Sequence, residues 1–291
     1  MLNNCLLQSG ASQEAKVYTR SEPLPQVYDR KDKGEGFILK NICVTLQYDG
    51  SRYDGWQKQG NTDNTIQGRI EAMLSKLFGQ EIEVHGSGRT DAGVHAIGQT
   101  ASFSVNTVYG PGKIMELMNT YLPKDIVVTD CKIVDARFHA RLNAKRKTYR
   151  YRICTGDYRP VFGRQYVLWH PEELDLEAMK KAAECLTGEH DFRSFCGNRH
   201  MKKSTVREIY AVEFAEEVRK EGDAEFPEIV ISFTGEGFLQ NMVRILTGTL
   251  LEIGEGKRKP EEMKAILDGK NRELAGGMAP AHGLTLWKVE Y

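Results

Sequence analysis

The stretch Gly86-Ser87-Gly88-Arg89-Thr90-Asp91-Ala92-Gly93-Val94-His95-Ala96 joins two predicted strands, and the elements on either side of it define the fold. Residues 81–85 form a short predicted strand before it, and alternating apolar residues at 101–105 predict a second strand after it. Glycines allow positive φ angles and close approach of the backbone to a ligand. We therefore expect a tight connection with charged side chains at its centre.

Outward from this connection, the chain predicts the order strand, helix, strand, strand, helix, strand. Alternation at 42–48 predicts the first strand, and a helix follows with Asn64 as its N-cap and an apolar stripe over 66–77. A second helix is predicted at 114–121 and a closing strand at 126–134. This order is the ferredoxin-like pattern.

The rest of the chain repeats the pattern with additions. Tyr149, Tyr151 and Ile153 are predicted to share one face of a strand. The predicted strands are 147–154, 206–214, 229–233 and 284–289, and the predicted helices are 176–186 and 239–253. We predict an α+β fold of two ferredoxin-like (βαββαβ) units that share a continuous mixed or antiparallel sheet, with helices on one face and a cleft between the units. The predicted division is an extension at 1–36 and domains at 37–143 and 144–291.

Composition limits the class of protein. The 291 residues hold 40 basic and 40 acidic side chains, so the net charge is zero. No apolar run has membrane-spanning length, and the first twenty residues hold no signal-like apolar core, so a cytoplasmic protein without a membrane partner is predicted. The six cysteines show no Cys-x-x-Cys spacing and the seven histidines no ligand spacing, so reduced thiols and no metal are expected.

Two basic segments indicate a polyanionic ligand despite the zero net charge. Residues 137–152 hold seven arginines and lysines without an acid, and Phe138, Tyr149 and Tyr151 are interleaved with them. A second acid-free cluster comprises Arg199, Lys202, Lys203 and Arg207. Aromatic side chains among cations suit a nucleic acid whose bases stack on them.

Arg89 and Asp91 are the candidate chemical groups of the opening stretch. If this backbone is extended, both side chains point the same way, and the arginine keeps the carboxylate ionised. An ordinary turn and a structural salt bridge remain open as alternatives. A dinucleotide fingerprint is excluded because its third glycine would stand at Asp91. Arg244 lies far from the centre of its helix's apolar stripe, so it is either exposed or directed into the seam between the halves.

Six motifs in order resemble the tRNA pseudouridine synthase A family, and the resemblance runs from about residue 41 to residue 291. The stretch 88–96 resembles the family signature. The other five segments are Tyr48-Asp49-Gly50-Ser51 with Gly55-Trp56-Gln57, Phe138-His139-Ala140-Arg141 through Lys147-x-Tyr149-x-Tyr151, Gly188-x-His190-Asp191-Phe192 with Phe195-Cys196, Gly237-Phe238-Leu239 through Met242-Val243-Arg244 to Gly248-Thr249-Leu250, and Ala279-Pro280-Ala281-x-Gly283-Leu284.

The resemblance implies an isomerase that detaches uracil from its ribose and rejoins it through carbon, with no cofactor. Asp91 is then the nucleophile, and whether it attacks the ring or the ribose stays open. Arg89 is expected to hold Asp91 charged and to take the place of the flipped base. Tyr149 is expected to stack on the uracil and to assist proton removal. Arg244 is expected to pair with Asp91 or with a phosphate.

The resemblance also implies the remaining substrate contacts and the partners. Arg141, Lys147, His95 and Leu284 are expected to contact substrate, although plain core packing is an equal alternative for Leu284. The expected substrate is the anticodon stem-loop of tRNA, at positions 38, 39 and 40, bound by a homodimer. An RNA-binding or chaperone protein of the same fold, and a synthase with another RNA target, are the alternatives. No Asp-x-Asp pattern supports an aspartate-nucleophile hydrolase.

Overall fold

The computed structural model describes residues 38–198 and 201–291. The predicted extension at 1–36, and Arg199 of the second basic cluster, lie outside the described residues. The strands are β1 (Ile38–Tyr48), β2 (His85–Gly86), β3 (His95–Thr107), β4 (Ile126–Val134), β5 (Arg146–Thr155), β6 (Leu168–His170), β7 (Gly188–Asp191), β8 (Val206–Glu221), β9 (Ala224–Gly235) and β10 (Leu284–Glu290). The helices are α1 (Ile66–Phe78), α2 (Pro111–Tyr121), α3 (Leu176–Ala183), α4 (Met242–Gly254) and α5 (Glu262–Gly269).

All ten strands belong to one mixed sheet. Its order is β4-β1-β3-β10-β5-β9-β8-β7, with β2 beside β3 and β6 beside β5. The pairs β3–β10 and β5–β6 are parallel, and the others are antiparallel. The last strand of the chain therefore joins the halves, because β10 pairs with β3 on one side and with β5 on the other. The predicted α+β class and the continuous mixed sheet are confirmed.

The core follows the predicted alternation. Ile42, Val44 and Leu46 of β1 are fully buried, and Tyr149, Tyr151 and Ile153 of β5 are buried in the same cluster. Burying one such apolar side chain contributes about 1.5–3 kcal/mol. The periodicity of each strand thus fixes which of its faces meets the main core.

Helix α1 begins one residue later than predicted. Thr65, not Asn64, is the N-cap, because its hydroxyl accepts a hydrogen bond from the amide of Gly68 at 3.2 Å. The Asn64 side chain instead donates to the carbonyl of Arg52. A cap residue must have its side-chain oxygen within reach of the N2 or N3 amide, and Thr65 meets that condition. The helix ends at Gly79, whose φ of 57° is left-handed.

The strand predicted at 81–85 is reduced to the two residues of β2. Ile82 and Val84 are buried, which explains their apolar alternation. They lie outside the sheet, and the Val84 amide donates to Oε1 of Glu71 at 3.0 Å rather than to a neighbouring strand. A carboxylate of α1 therefore satisfies this backbone, and burial alone produced the pattern.

The hairpin of β8 and β9 is longer than the predicted 206–214 and 229–233. Its acid-rich residues pair across the two strands, which reach the turn between Glu221 and Ala224. The Glu228 side chain is fully buried, and it accepts from Nε of Arg152 at 2.8 Å and from Nε of Arg219 at 2.7 Å. The hydrophobic pattern predicted a loop here because the sequence is charged. Ion pairing compensates for the burial of these charges, so the strands continue.

Gly86 is required at the start of the opening stretch because it lies against a buried ring. A methyl group on Gly86 would overlap the indole of Trp56, which is 2 % exposed. We expect Gly86→Ala to lower the free energy of unfolding by about 1–3 kcal/mol through displacement of that ring. Gly60→Ala is the matched control, since nothing lies near a methyl group there. Equal urea midpoints for both variants would contradict the packing argument.

Candidate active site

The loop that carries Asp91 is fixed by buried hydrogen bonds. The amide of Trp56 donates to the carbonyl of Thr90 at 3.0 Å, and the hydroxyls of Thr90 and Tyr48 bond at 2.8 Å. The amide of Val94 donates to the carbonyl of Asp91 at 3.1 Å, and Gly93 has a φ of 78°. The chain therefore turns at Asp91, and the carboxylate projects from a loop that these hydrogen bonds hold.

Asp91 faces Arg244 across the seam of the two halves. Nη1 of Arg244 lies 3.8 Å from Oδ2 of Asp91, and the two side chains are 12 % and 27 % exposed. Nε of Arg244 donates to the carbonyl of Ala279 at 2.8 Å, which fixes the guanidinium. Burial raises the pKa of Asp91, and the charge and hydrogen bond of Arg244 act against that rise. Of the two places predicted for Arg244, the seam is the correct one.

Arg89 is not the ion-pair partner of Asp91. Its exposed side chain donates from Nε to Oε1 of Gln57 at 2.9 Å. The prediction that Arg89 holds Asp91 charged assumed an extended backbone, and this segment lies outside the strands and turns at Asp91. The cation beside Asp91 is Arg244, which is remote in the chain.

Tyr149 lies in the middle of β5, directly opposite Leu286 of the joining strand. Its ring is buried and meets Phe238 edge to face, with centroids 5.2 Å apart. Burial raises the pKa of Tyr149 far above its usual value, and electrostatic interactions with Tyr48 and with the Asp91 carboxylate add to the rise. The phenol is therefore protonated at neutral pH.

Lys147 lies beside the hydroxyl of Tyr149, and Arg141 is close enough to Lys147 to affect its pKa. A Cβ atom added to Gly88 would lie 3.6 Å from Oη of Tyr149 and 3.8 Å from Nζ of Lys147. The side chains of Tyr149 and Lys147 therefore both contact the loop at Gly88. Burial lowers the pKa of Lys147 to about 8, and the charges of Arg141 and Arg207 contribute. Arg141 itself is exposed, in the connection between β4 and β5.

Two predicted substrate contacts lie elsewhere. His95 is buried, its Nδ1 accepts from the amide of Gly50 at 3.1 Å, and its ring meets Tyr166 edge-on with centroids 4.8 Å apart. Burial lowers its pKa, against the charge of Asp49. These contacts make His95 a packing residue, and we correct its predicted substrate role. Leu284 is 4 % exposed in the core opposite Tyr151, which agrees with the packing alternative.

Sequence reasoning missed two parts of the site. The carbonyl of Ala279 orients Arg244, and Phe238 supports the ring of Tyr149. Both residues belong to the sequence motifs described above, so their position near the site could have been predicted. Their contacts could not be predicted, because these depend on how α4 is placed relative to β5.

No helix of the described residues has the length and apolar character to cross a membrane. Within residues 38–198 and 201–291, no group of three or more histidine, cysteine, aspartate or glutamate side chains is placed to hold a metal ion.

Comparison with known proteins gives consistent matches. The family model described as tRNA pseudouridine synthase matches residues 44–143 and 182–291. The chain is 44 % identical over 253 residues to "tRNA pseudouridine synthase A 2" of Bacillus cereus, covering 87 % of this chain and 100 % of the relative. It is 44 % identical over 255 residues to "tRNA pseudouridine synthase A" of Geobacillus kaustophilus, covering 87 % of this chain and 95 % of the relative. The same identity, over 253 residues, relates it to "tRNA pseudouridine synthase A" of Brevibacillus brevis, covering 87 % of this chain and 100 % of the relative.

Proposed function

The chain belongs to the tRNA pseudouridine synthase family, and from that premise we propose that it isomerises uridine to pseudouridine in the anticodon stem-loop of tRNA, at positions 38, 39 and 40, with Asp91 as nucleophile. The observation that carries the proposal is the Asp91–Arg244 pair, a partly buried carboxylate beside a fixed cation at the seam of the sheet. Perturbed carboxylates of this kind are candidates for catalysis.

The chemistry needs a nucleophile and a proton acceptor but no redox partner. The bond between N1 of uracil and C1′ of ribose breaks and a bond between C5 and C1′ forms. C5 loses a proton and N1 gains one, so substrate and product have the same atoms. Asp91 attacks either the uracil ring or C1′ of the ribose and forms a covalent bond to it. Uracil and ribose can then reorient relative to each other before they rejoin. Arg244 favours the ionised carboxylate and so opposes the effect of its burial. Tyr149 provides an aromatic face for the uracil. It is close enough to Asp91 for the carboxylate charge to raise the pKa of its hydroxyl.

The target base must leave the stem to reach Asp91, at a cost of about a few kcal/mol. Arg89 supports this step, because its exposed side chain lies two residues from Asp91 and takes the place of the flipped base in the stem. Stacking on one aromatic side chain returns about 1–3 kcal/mol. Tyr149 is the ring at the site that supplies it, held by Phe238.

We infer that the two halves, 37–143 and 144–291, are ferredoxin-like units with their helices on one face of the sheet. The strand order supports this, since β4-β1-β3-β2 in the first half corresponds to β10-β5-β9-β8 in the second. We further infer a homodimer that binds one tRNA through both copies, so that a chain of zero net charge presents a basic groove. Sedimentation with and without tRNA tests the dimer.

The function is tested by mapping pseudouridine in tRNA transcripts incubated with the protein alone. We expect modification at uridines 38, 39 and 40 without any added cofactor. Transcripts with cytidine at these three positions are the matched control and should stay unmodified. Modification elsewhere would support the alternative RNA target. Binding without modification of any transcript would support the RNA-binding or chaperone protein.

Tyr149 separates stacking from proton transfer. We expect Tyr149→Phe to leave the Kd for tRNA within about twofold, because the ring remains, and Tyr149→Ala to weaken binding by about 1–3 kcal/mol. The measurement is equilibrium binding of a tRNA transcript, with melting temperatures to confirm folding. A fall in kcat for Tyr149→Phe would assign the hydroxyl to the proton-transfer step. A large loss of affinity for Tyr149→Phe would contradict the stacking role.

A further inference from the structure

The ammonium of Lys147 lies beside the active site without a partner. On β5 it stands opposite Gly235 of β9 and Val289 of β10, which carry no charge. Its Nζ approaches the loop at Gly88, at the same point as the hydroxyl of Tyr149. In the described part of the chain, this ammonium makes no salt bridge and no hydrogen bond.

Two cations and one acid face Lys147 from neighbouring elements. Arg141 comes from the connection between β4 and β5, Arg207 from β8, and Glu236 from the end of β9. Glu236 is exposed, so its charge is screened by solvent. The net charge of the groups that face Lys147 is therefore positive.

The other charged neighbours have partners of their own. Lys288 and Glu290 of β10 pair with each other, and Arg89 of the loop is bonded to Gln57. Arg146, on the same strand, lies 4.8 Å from the centre of the Tyr210 ring. None of these groups neutralises Lys147, and a half-buried cation without a counter-charge is costly. An anion that arrives with the substrate removes that cost.

We propose that Lys147 binds a phosphate of the RNA backbone at the nucleotide that enters the active site, and that its protonation couples tRNA affinity to pH. The proposal rests on the proposed function, which supplies the RNA. A phosphodiester fits because the charges of Arg141 and Arg207 act on Lys147 and because Lys147 belongs to the acid-free basic stretch 137–152.

The direction of the pH effect follows from linkage. In the free protein, burial and the two arginines lower the pKa of Lys147 to about 8. A bound phosphate favours the protonated amine, so the pKa of Lys147 rises in the complex. Affinity is therefore retained below pH 8 and lost as the pH rises through the pKa of the free protein.

The experiment measures the Kd of an unmodified tRNA transcript at pH 7 and pH 9, at constant salt. All proteins carry Asp91→Asn so that no product forms. With Lys147 present, we expect the Kd to rise about tenfold between these pH values, because the protonated fraction falls by that factor. With Lys147→Arg, we expect a change of about twofold or less, since arginine stays charged.

Lys145→Arg is the matched control, because Lys145 is exposed in the same basic stretch and should retain the tenfold dependence. A second measurement uses Lys147→Gln, which should lower the slope of log Kd against log salt by about 0.7–0.9. The proposal is overturned if Lys147→Arg keeps the pH dependence, if it binds no tRNA at pH 7, or if Lys147→Gln leaves the salt slope unchanged. Mapping of pseudouridine by the unaltered protein is independent of all these results, so failure of the proposed function is recognised separately.

Discussion

Asp91→Asn is expected to abolish pseudouridine formation, with kcat reduced at least about 10³-fold, while tRNA binding stays within about threefold. The amide has the size of the carboxylate but no negative charge, so it cannot act as a nucleophile. Its oxygen still offers an acceptor to the Arg244 guanidinium, which lies 3.8 Å from Oδ2 of Asp91, so the loop should keep its geometry. Single-turnover formation of pseudouridine and equilibrium binding measure the two quantities separately.

Asp130→Asn provides the control for this substitution. Asp130 lies on β4 with a side chain that is 58 % exposed, and its removal should leave kcat unchanged. Comparable pseudouridine formation by Asp91→Asn and by the unaltered protein would rule out the role proposed for Asp91. Loss of binding together with activity would show that the substitution damaged the cleft instead.

Arg244→Gln is expected to lower kcat/KM at pH 7 by about 10²-fold and to move the acid limb of the pH profile to higher pH. Burial raises the pKa of Asp91, and Arg244 opposes that rise. Without the guanidinium the carboxyl binds its proton more tightly. Activity, which needs the ionised form, is then reached only at higher pH. Arg244→Lys keeps the positive charge and should move the limb less.

The matched control is Arg258→Gln, just beyond the C-terminal end of α4. Arg258 donates from Nε to Oε2 of Glu252 at 2.6 Å and is 26 % exposed, so the same kind of pair is broken away from the site. Its pH profile should match that of the unaltered protein. An acid limb at an unchanged pH in Arg244→Gln would mean that Arg244 does not control the ionisation of Asp91.

Much of the fold follows from local pattern. The strand predicted at 126–134 has those bounds in β4, because alternation of apolar residues depends only on neighbours in the chain. Boundaries failed where another interaction replaced the expected one. The amide of Val84 donates to the Glu71 carboxylate instead of to a strand, so the strand predicted at 81–85 is shortened. Buried ion pairs at Glu228 allow the hairpin of β8 and β9 to continue through acidic sequence.

The candidate residues of the site were named from the sequence, but the ion pair between them was not predicted correctly. The sequence by itself determined that Asp91 stands in a tight glycine-rich connection between two strands and that Tyr149 shares the face of Tyr151 and Ile153, since both depend on local conformation. Only the tertiary structure decided that Arg244, not Arg89, faces Asp91, and that His95 packs against Tyr166. The physical reason is that β10 inserts between β3 and β5 and brings α4 to the loop. Burial and charge then act through space between residues that are distant in the chain.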